Sequence, residues 1–369
     1  DGGGTLMQGA QPRSNQFAGA RTGANDLAAL VYSSGTTGRP KGVMLSHQNL
    51  VANISVVADY WGFNRNDCLL HALPIFHVHG LFVAIGCVLM SGCSMRWLHN
   101  FDVTTVLDNL SRSTVMMGVP TYYTRLLADH RFTARQCASM RLFISGSAPL
   151  LAETFVEFER RTGHTILERY GMTETGMNTS NPLHGLRRAG TVGPPLPGVV
   201  VRVCDADNRV LGVNEVGALQ VRGANVFVGY WNMPEQTAQD FTPDGFFNTG
   251  DLAVIDDQGY VSIVGRSKDM VISGGLNVYP KEVEMLIDAL PGVLESAVIG
   301  VPDPDFGEAV VAVVVLRDSR LTAQQIREAL RTKAANFKVP KRIIFVDELP
   351  RNAMGKVQKQ VLRSQLLGQ

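Results

Sequence analysis

At roughly 150 residues per domain, a chain of 369 residues has room for two or three domains. Its 34 Lys and Arg against 33 Asp and Glu leave a net charge of +1, and charged residues are only 18% of the total, which excludes a nucleic-acid-coating surface. Apolar residues at 45% exclude a disordered chain, and the 37 glycines follow no three-residue period, which excludes collagen.

The first 25 residues read as a flexible entry segment without the apolar core of a signal peptide. LAALVYSS (27–34) has the character of a buried strand and feeds the glycine-rich GTTGRPKG (35–42), after which Ser46 is placed to cap a helix. The longest uncharged stretch, 68–95, contains Pro74 and three histidines, His71, His77 and His79, so it reads as core and not as a membrane span. Strand and helix patterns then alternate, through CLLHALPIF (68–76), SMRWLHN (94–100), TTVLDNLSRS (104–113), TVMMGVP (114–120), RLFISGSAPL (141–150) and FVEFERRTG (155–163). Such alternation predicts an α/β fold with a mostly parallel, doubly wound sheet.

From about 186 the apolar residues recur with period two between Pro, Gly and Asn turns, which predicts an antiparallel, barrel-like or sandwich-like part. LAVIDDQGYVSIVG (252–265) is a further strand pair leading into the charged link 266–269, and 280–335 reads as two strands flanked by helices. The expected organisation is a large domain over 1–266, with an α/β part (1–185) and a β-rich part (186–266), followed by a small mobile α+β domain over 267–369. The five cysteines, Cys68, Cys87, Cys93, Cys137 and Cys204, are odd in number and form no C-x-x-C pair, so a reducing compartment is expected. The cytoplasm is the default, with mitochondrial import left open.

Four segments have the composition for chemistry. In YSSGTTGRPKG (32–42), Ser33, Ser34, Thr36 and Thr37 surround Gly35 and Gly38, and Lys41 follows. Glycines let backbone N–H groups approach phosphate oxygens while hydroxyls and a lysine add donors, although the same composition makes an ordinary Ser/Thr turn. The spacing is not that of a Walker A loop. YGMTE (170–174) sets Thr173 beside Glu174, an oxygen pair suited to Mg2+ on a nucleotide. NTGD (248–251) offers Asp251, a residue that equally forms turns, and PRNAMGK (350–356) offers Lys356 on a loop, where most lysines are solvated charges.

The order of these segments is more specific than any one of them. YSSGTTGRPKG, YGMTE, TGD, GRSKDMVISGGLNVYPKEVE (265–284) and PRNAMGK together resemble the signature series of the adenylate-forming superfamily of acyl-CoA synthetases, peptide-synthetase adenylation domains and luciferases. FHVHG (76–80), ERYGMTETGMNTSNP (168–182) and RRAGTVGPPLPGV (187–199) resemble the malonyl-CoA synthetases within it.

The resemblance implies a two-step reaction in which a carboxylate attacks the α-phosphate of Mg-ATP, releasing pyrophosphate, and the thiol of coenzyme A then displaces AMP. It implies that the 33–41 loop cradles the β- and γ-phosphates, and that Tyr170 and the backbone at Gly146, Ser147 and Ala148 embrace adenine. Thr173 would hold the α-phosphate, Glu174 the magnesium, and Asp251 with Arg266 the ribose. Lys356 would bridge carboxylate and α-phosphate, and Lys268 would be the hinge about which the small domain turns to bring Gly274 and Gly275 to a pantetheine tunnel. Where most relatives carry glycine, this chain has Arg169, whose planar fork suits a second carboxylate and points to malonate. The competing reading turns Arg169 outward to pair with Glu168. His77 is expected to border the acyl pocket, His79 to be a satisfied core residue, and Arg187 and Arg188 to lie on a solvated loop.

The phosphate loop begins far earlier than in such synthetases, so the N-terminal part of the usual fold is expected to be absent. Two alternatives follow: a coenzyme A ligase for another acid, such as methylmalonate or a fatty acid, and an inactive nucleotide-binding fragment. The expected partners are small molecules, with neither nucleic acid nor a membrane span.

Overall fold

The computed structural model describes residues 19–33, 41–317, 320–352 and 355–367. The phosphate-loop candidates Ser34, Gly35, Thr36, Thr37 and Gly38 lie outside the described residues, whereas Ser33 and Lys41 at the two ends of that loop lie within them.

Strands β1 (Leu27–Ser33) and β2 (Lys41–Ser46) pair antiparallel with Ser33 opposite Lys41. The helix His47–Tyr60 starts at a reciprocal cap: Ser46 accepts from the Asn49 amide at 3.1 Å, and the Asn49 side chain accepts from the Ser46 amide at 3.0 Å. Strands β3 (Cys68–His71), β4 (Ser94–Trp97), β5 (Val115–Gly118), β6 (Leu142–Ser145), β7 (Leu167–Met172) and β8 (Gly176–Ser180) form one sheet in the order β4-β3-β5-β6-β7-β8. All its pairs are parallel except β7–β8, a hairpin.

Its central strands β3, β5 and β6 are mostly apolar because both faces of the sheet are covered. Leu69, Met117 and Ile144 point into one cluster with Val57 and Cys87 from the helices His47–Tyr60 and Ile85–Ser91. Their neighbours Leu70, Met116 and Phe143 point into a second cluster with Leu107, Tyr123 and Phe158 from the helices on the other side. Strand β3 ends at His71, ahead of Pro74, which has no amide to donate to a ladder, and residues 79–84 wind into a short π-helical segment.

Strands β9 (Val199–Cys204) and β10 (Gly217–Gly223) open the β-rich part, followed by the two-residue β11 (Gly229–Tyr230), β12 (Phe247–Ile255) and β13 (Val261–Arg266). They make a four-stranded antiparallel sheet ordered β13-β12-β10-β9, while β11 joins β1 and β2 as a third strand. After the 3-10 turn Ser267–Asp269 come β14 (Val271–Ser273), β15 (Leu276–Val278), β16 (Val293–Asp303), β17 (Gly307–Leu316) and β18 (Arg342–Phe345). These five form one sheet, with β18 parallel to β17, and three helices pack on it. Among the described residues, the buried clusters of this small C-terminal domain draw only on positions after 270, and those of the large part only on positions before 265. No helix among the described residues is long and apolar enough to cross a membrane.

Candidate active site

The β7–β8 hairpin leaves the carboxyl end of the parallel sheet and carries the centre of the site. Its register sets Met172 opposite Gly176, so Thr173, Glu174 and Thr175 form the connecting loop. That loop is held from behind by amides. Asn53 accepts from the Met177 amide at 2.9 Å and donates to its carbonyl at 2.8 Å, and Asn225 donates to the Thr175 carbonyl at 2.8 Å. Gly176 is required twice, because its φ of +61° is left-handed and an added methyl would lie 2.4 Å from the Asn53 oxygen.

Alternation along β7 sends Glu168 and Tyr170 to one face and Arg169 to the other, so Glu168 does not pair with Arg169. Arg169 is turned inward and 3% exposed. Its guanidinium lies on the α-carbon of Gly146, where an added methyl would sit 2.4 Å from Cζ. Its Nε and Nη2 have no hydrogen-bond partner among the described residues, and burial lowers its pKa to about 10, which leaves it charged at neutral pH. His79, close enough for Arg169 to lower its pKa, also has a buried nitrogen, Nε2, without a partner among the described residues. The expectation that His79 is a satisfied core residue therefore fails: its Nδ1 lies 3.4 Å from Ser147 Oγ, while its other nitrogen has no partner among the described residues. His77 is half-buried, and burial followed by repulsion from Lys356 and Arg169 lowers its pKa to about 4, so it is a neutral ring between two cations.

On the opposite face Tyr170, Asp251 and Arg266 satisfy one another, whereas Glu168 Oε1 has no partner among the described residues. Asp251 and Arg266 are directly opposed on β12 and β13, with Arg266 Nε 2.8 Å from Asp251 Oδ1. The Tyr170 hydroxyl donates to the other Asp251 oxygen, and Arg266 also donates to the Thr249 carbonyl at 3.2 Å. Burial raises the pKa of Asp251, against the pull of Arg266 and Tyr170. Glu174 is buried, and its pKa is likewise raised by burial; it accepts from the Tyr230 hydroxyl at 3.2 Å. Lys41 turns from the loop end toward Asp240 at 3.4 Å, over the Tyr230 ring.

The small domain delivers Lys356. Asn352 accepts from the Lys356 amide at 3.0 Å, and Gly355 packs beside Thr121 of the large part, which brings the lysine to the mouth of the cleft. Its surface stays open to solvent, yet surrounding protein and the Arg266 and Arg169 cations lower its pKa, opposed by Asp251 and Glu174. Lys268 lies exposed in the turn between β13 and β14, and Gly274 and Gly275 form the β14–β15 hairpin turn beside Phe306. Arg187 is not on a solvated loop as expected: it ties its loop down by donating to the carbonyls of Thr165, Pro182 and Leu183. Arg188 pairs with Asp256 at 2.8 Å.

Comparisons with known proteins give the family and the fold. Residues 4–231 match the model of the AMP-binding enzyme family, and residues 282–356 match that of the AMP-binding enzyme C-terminal domain. The chain belongs to the AMP-binding enzyme family. A malonate–CoA ligase of Arabidopsis thaliana is 38% identical to this AMP-binding chain, over 94% of it and 62% of the relative's own length. The chain thus spans less than two thirds of that relative. The crystal structure of ATP-bound MatB from Rhodopseudomonas palustris superimposes with a TM-score of 0.97 at 56% identity, over 99% of this chain and 73% of that one. The apo form of the same protein, with the same coverage and 57% identity, gives 0.82. Since the sequences compared hardly differ, the gap reports arrangement, and this AMP-binding chain is arranged as in the ATP-bound form.

Tyr230, Asn53, Asn225 and His79 were not legible as site residues, because each acts through a partner far away in the chain. Gly176, next to the YGMTE motif, was the one local signal of the tight hairpin.

Proposed function

We propose that the protein joins malonate to coenzyme A at the expense of ATP, through a malonyl-adenylate, releasing pyrophosphate and then AMP. The observation that carries this reading is Arg169: a buried guanidinium with two unpaired donors at the acyl end of the cleft calls for an anion, and its fork suits a carboxylate. Malonate has one carboxylate to react and one to fill that site. Acetate would leave the cation unpaired, and a long acyl chain would set apolar carbon against it.

In the first step an oxygen of the reacting carboxylate bonds to the α-phosphorus, and the bond to pyrophosphate breaks. Lys356 bridges the two anions and offsets the charge that grows between them. Thr173 holds the α-phosphate, Ser33 to Lys41 the outer phosphates, and Asp251 with Arg266 the ribose. Tyr170 and the Gly146, Ser147 and Ala148 backbone flank adenine, and His77 borders the acyl group. Glu174 fits a magnesium ion, because it is a buried carboxylate with a raised pKa and Mg2+ uses one or two carboxylates together with substrate phosphates. Bound there, the ion would neutralise phosphate charge. For the second step the small domain turns about Lys268, withdrawing Lys356 and presenting Gly274 and Gly275 to the pantetheine arm. The five free cysteines accord with a reducing compartment, the cytoplasm or the mitochondrial matrix.

The test is exchange of labelled pyrophosphate into ATP with malonate, methylmalonate, acetate or octanoate, in the protein and in Arg169→Ala. Malonate-driven exchange that the substitution abolishes is the expected result. Exchange with octanoate or acetate that ignores the substitution would overturn the assignment of the acid. ATP binding without exchange for any acid would leave a nucleotide-binding fragment.

A further inference from the structure

Tyr230 stands where three parts of the nucleotide end meet, and no motif singles it out. It is 4% exposed on β11, opposite Val43 of β2, and the next residue, Trp231, donates to the Gly42 carbonyl at 2.8 Å. It is therefore zipped to the strand that begins at Lys41. Its own amide donates to Thr237 Oγ1 at 2.9 Å, and its ring packs edge-on against Phe227 with centroids 4.8 Å apart. Phe227 in turn donates its amide to the Glu174 carbonyl at 2.8 Å. Backbone, ring and neighbours are all held before any ligand arrives.

From this fixed position the side chain does two things. Its hydroxyl donates to Glu174 Oε1 at 3.2 Å, and its ring face carries the Lys41 ammonium 4.5 Å from the centroid. Lys41 is held there also by Asp240, itself bonded to Gln236 at 2.9 Å. We propose that Tyr230 is a positioning residue that fixes the carboxylate of Glu174 for the metal and ties it to the phosphate-binding loop, so that cation and phosphates are received as one unit. This rests on the reading of Glu174 as the magnesium ligand. The physical reason is that a carboxylate without a second partner swings between rotamers, and each must be given up on binding; a hydroxyl donor on a locked ring removes that cost beforehand.

Two variants separate the two contacts. Tyr230→Phe removes the hydroxyl and keeps the ring beneath Lys41, whereas Tyr230→Leu removes both. The readout is ATP affinity by calorimetry in Mg2+ and in EDTA, with thermal melting alongside. In Tyr230→Phe the ratio of the two affinities is expected to fall by about tenfold, as for loss of a group that orients a metal ligand, with affinity in EDTA unchanged. In Tyr230→Leu the affinity in EDTA should fall as well. A purely structural role for the tyrosine would lower the melting temperature and both affinities together while leaving their ratio intact, and that result would overturn the inference. No effect of Mg2+ on the unsubstituted protein would remove the role of Glu174 itself, and the inference with it.

Discussion

One hairpin supplies both ends of the cleft, yet the two ends are built on opposite principles. At the proposed nucleotide end Asp251 is partnered by Arg266 and Tyr170, Glu174 by Tyr230, and Lys41 by Asp240. At the proposed acyl end Arg169 and His79 keep buried polar atoms without partners among the described residues. Buried polar groups are ordinarily satisfied, so a cluster that is not marks the place where the ligand must complete the bonding. Under the proposed function, groups that orient one another suit the nucleotide, and the unsatisfied end suits the choice of acid.

The sharpest way to break this comparison is to remove the unpaired cation. Arg169→Met should lower kcat/KM for malonate by about 10³-fold with the KM for ATP unchanged, because a site built to pair a charge discriminates strongly only while it holds that charge. Equal losses for both substrates would erase the distinction between the ends. Lys356→Ala comes next, with malonate-dependent pyrophosphate exchange reduced by about 10²-fold while ATP, measured by equilibrium dialysis, still binds. Gly146→Ala tests the seat of the guanidinium. The new methyl would push Arg169 aside, and a loss of about tenfold for malonate is expected from misplacement alone.

The smallest effect concerns Glu168, on the same face as Tyr170 but away from the ligand groups. Burial raises its pKa from 4.5 to about 8, so the folded state holds a proton that the unfolded chain releases. Its contribution to stability is complete below pH 4.5 and is lost as pH rises through 8. Melting curves from pH 5 to 9 should therefore fall by several degrees more for the unsubstituted protein than for Glu168→Gln, which has no proton to lose. Parallel curves would show that Glu168 is ionised in the folded state.

Elements with a local cause were legible before the structure. Ser46 capped its helix, the apolar runs at 114–120 and 141–150 became strands β5 and β6, and D-D-Q-G turned β12 into β13. Arg187 was misjudged because loop polarity says nothing about a loop folding back so that two nearby carbonyls and that of Thr165 converge on one guanidinium. His79 was misjudged for the opposite reason, since a histidine in an apolar run is usually satisfied and only packing revealed the unpaired nitrogen.

The order of the motifs carried the family, because each needs particular residue types at short spacing and chemistry selects them one by one. Arg169 was likewise visible as a cation next to the YG pair. What tertiary structure alone decided is which way such residues face and what they meet. Strand alternation turned Arg169 inward and away from Glu168, cross-strand register joined Asp251 to Arg266, and a two-residue strand set Tyr230 between Lys41 and Glu174. These are contacts between positions tens to hundreds of residues apart, fixed by sheet geometry and close packing, and no local pattern in the chain encodes them.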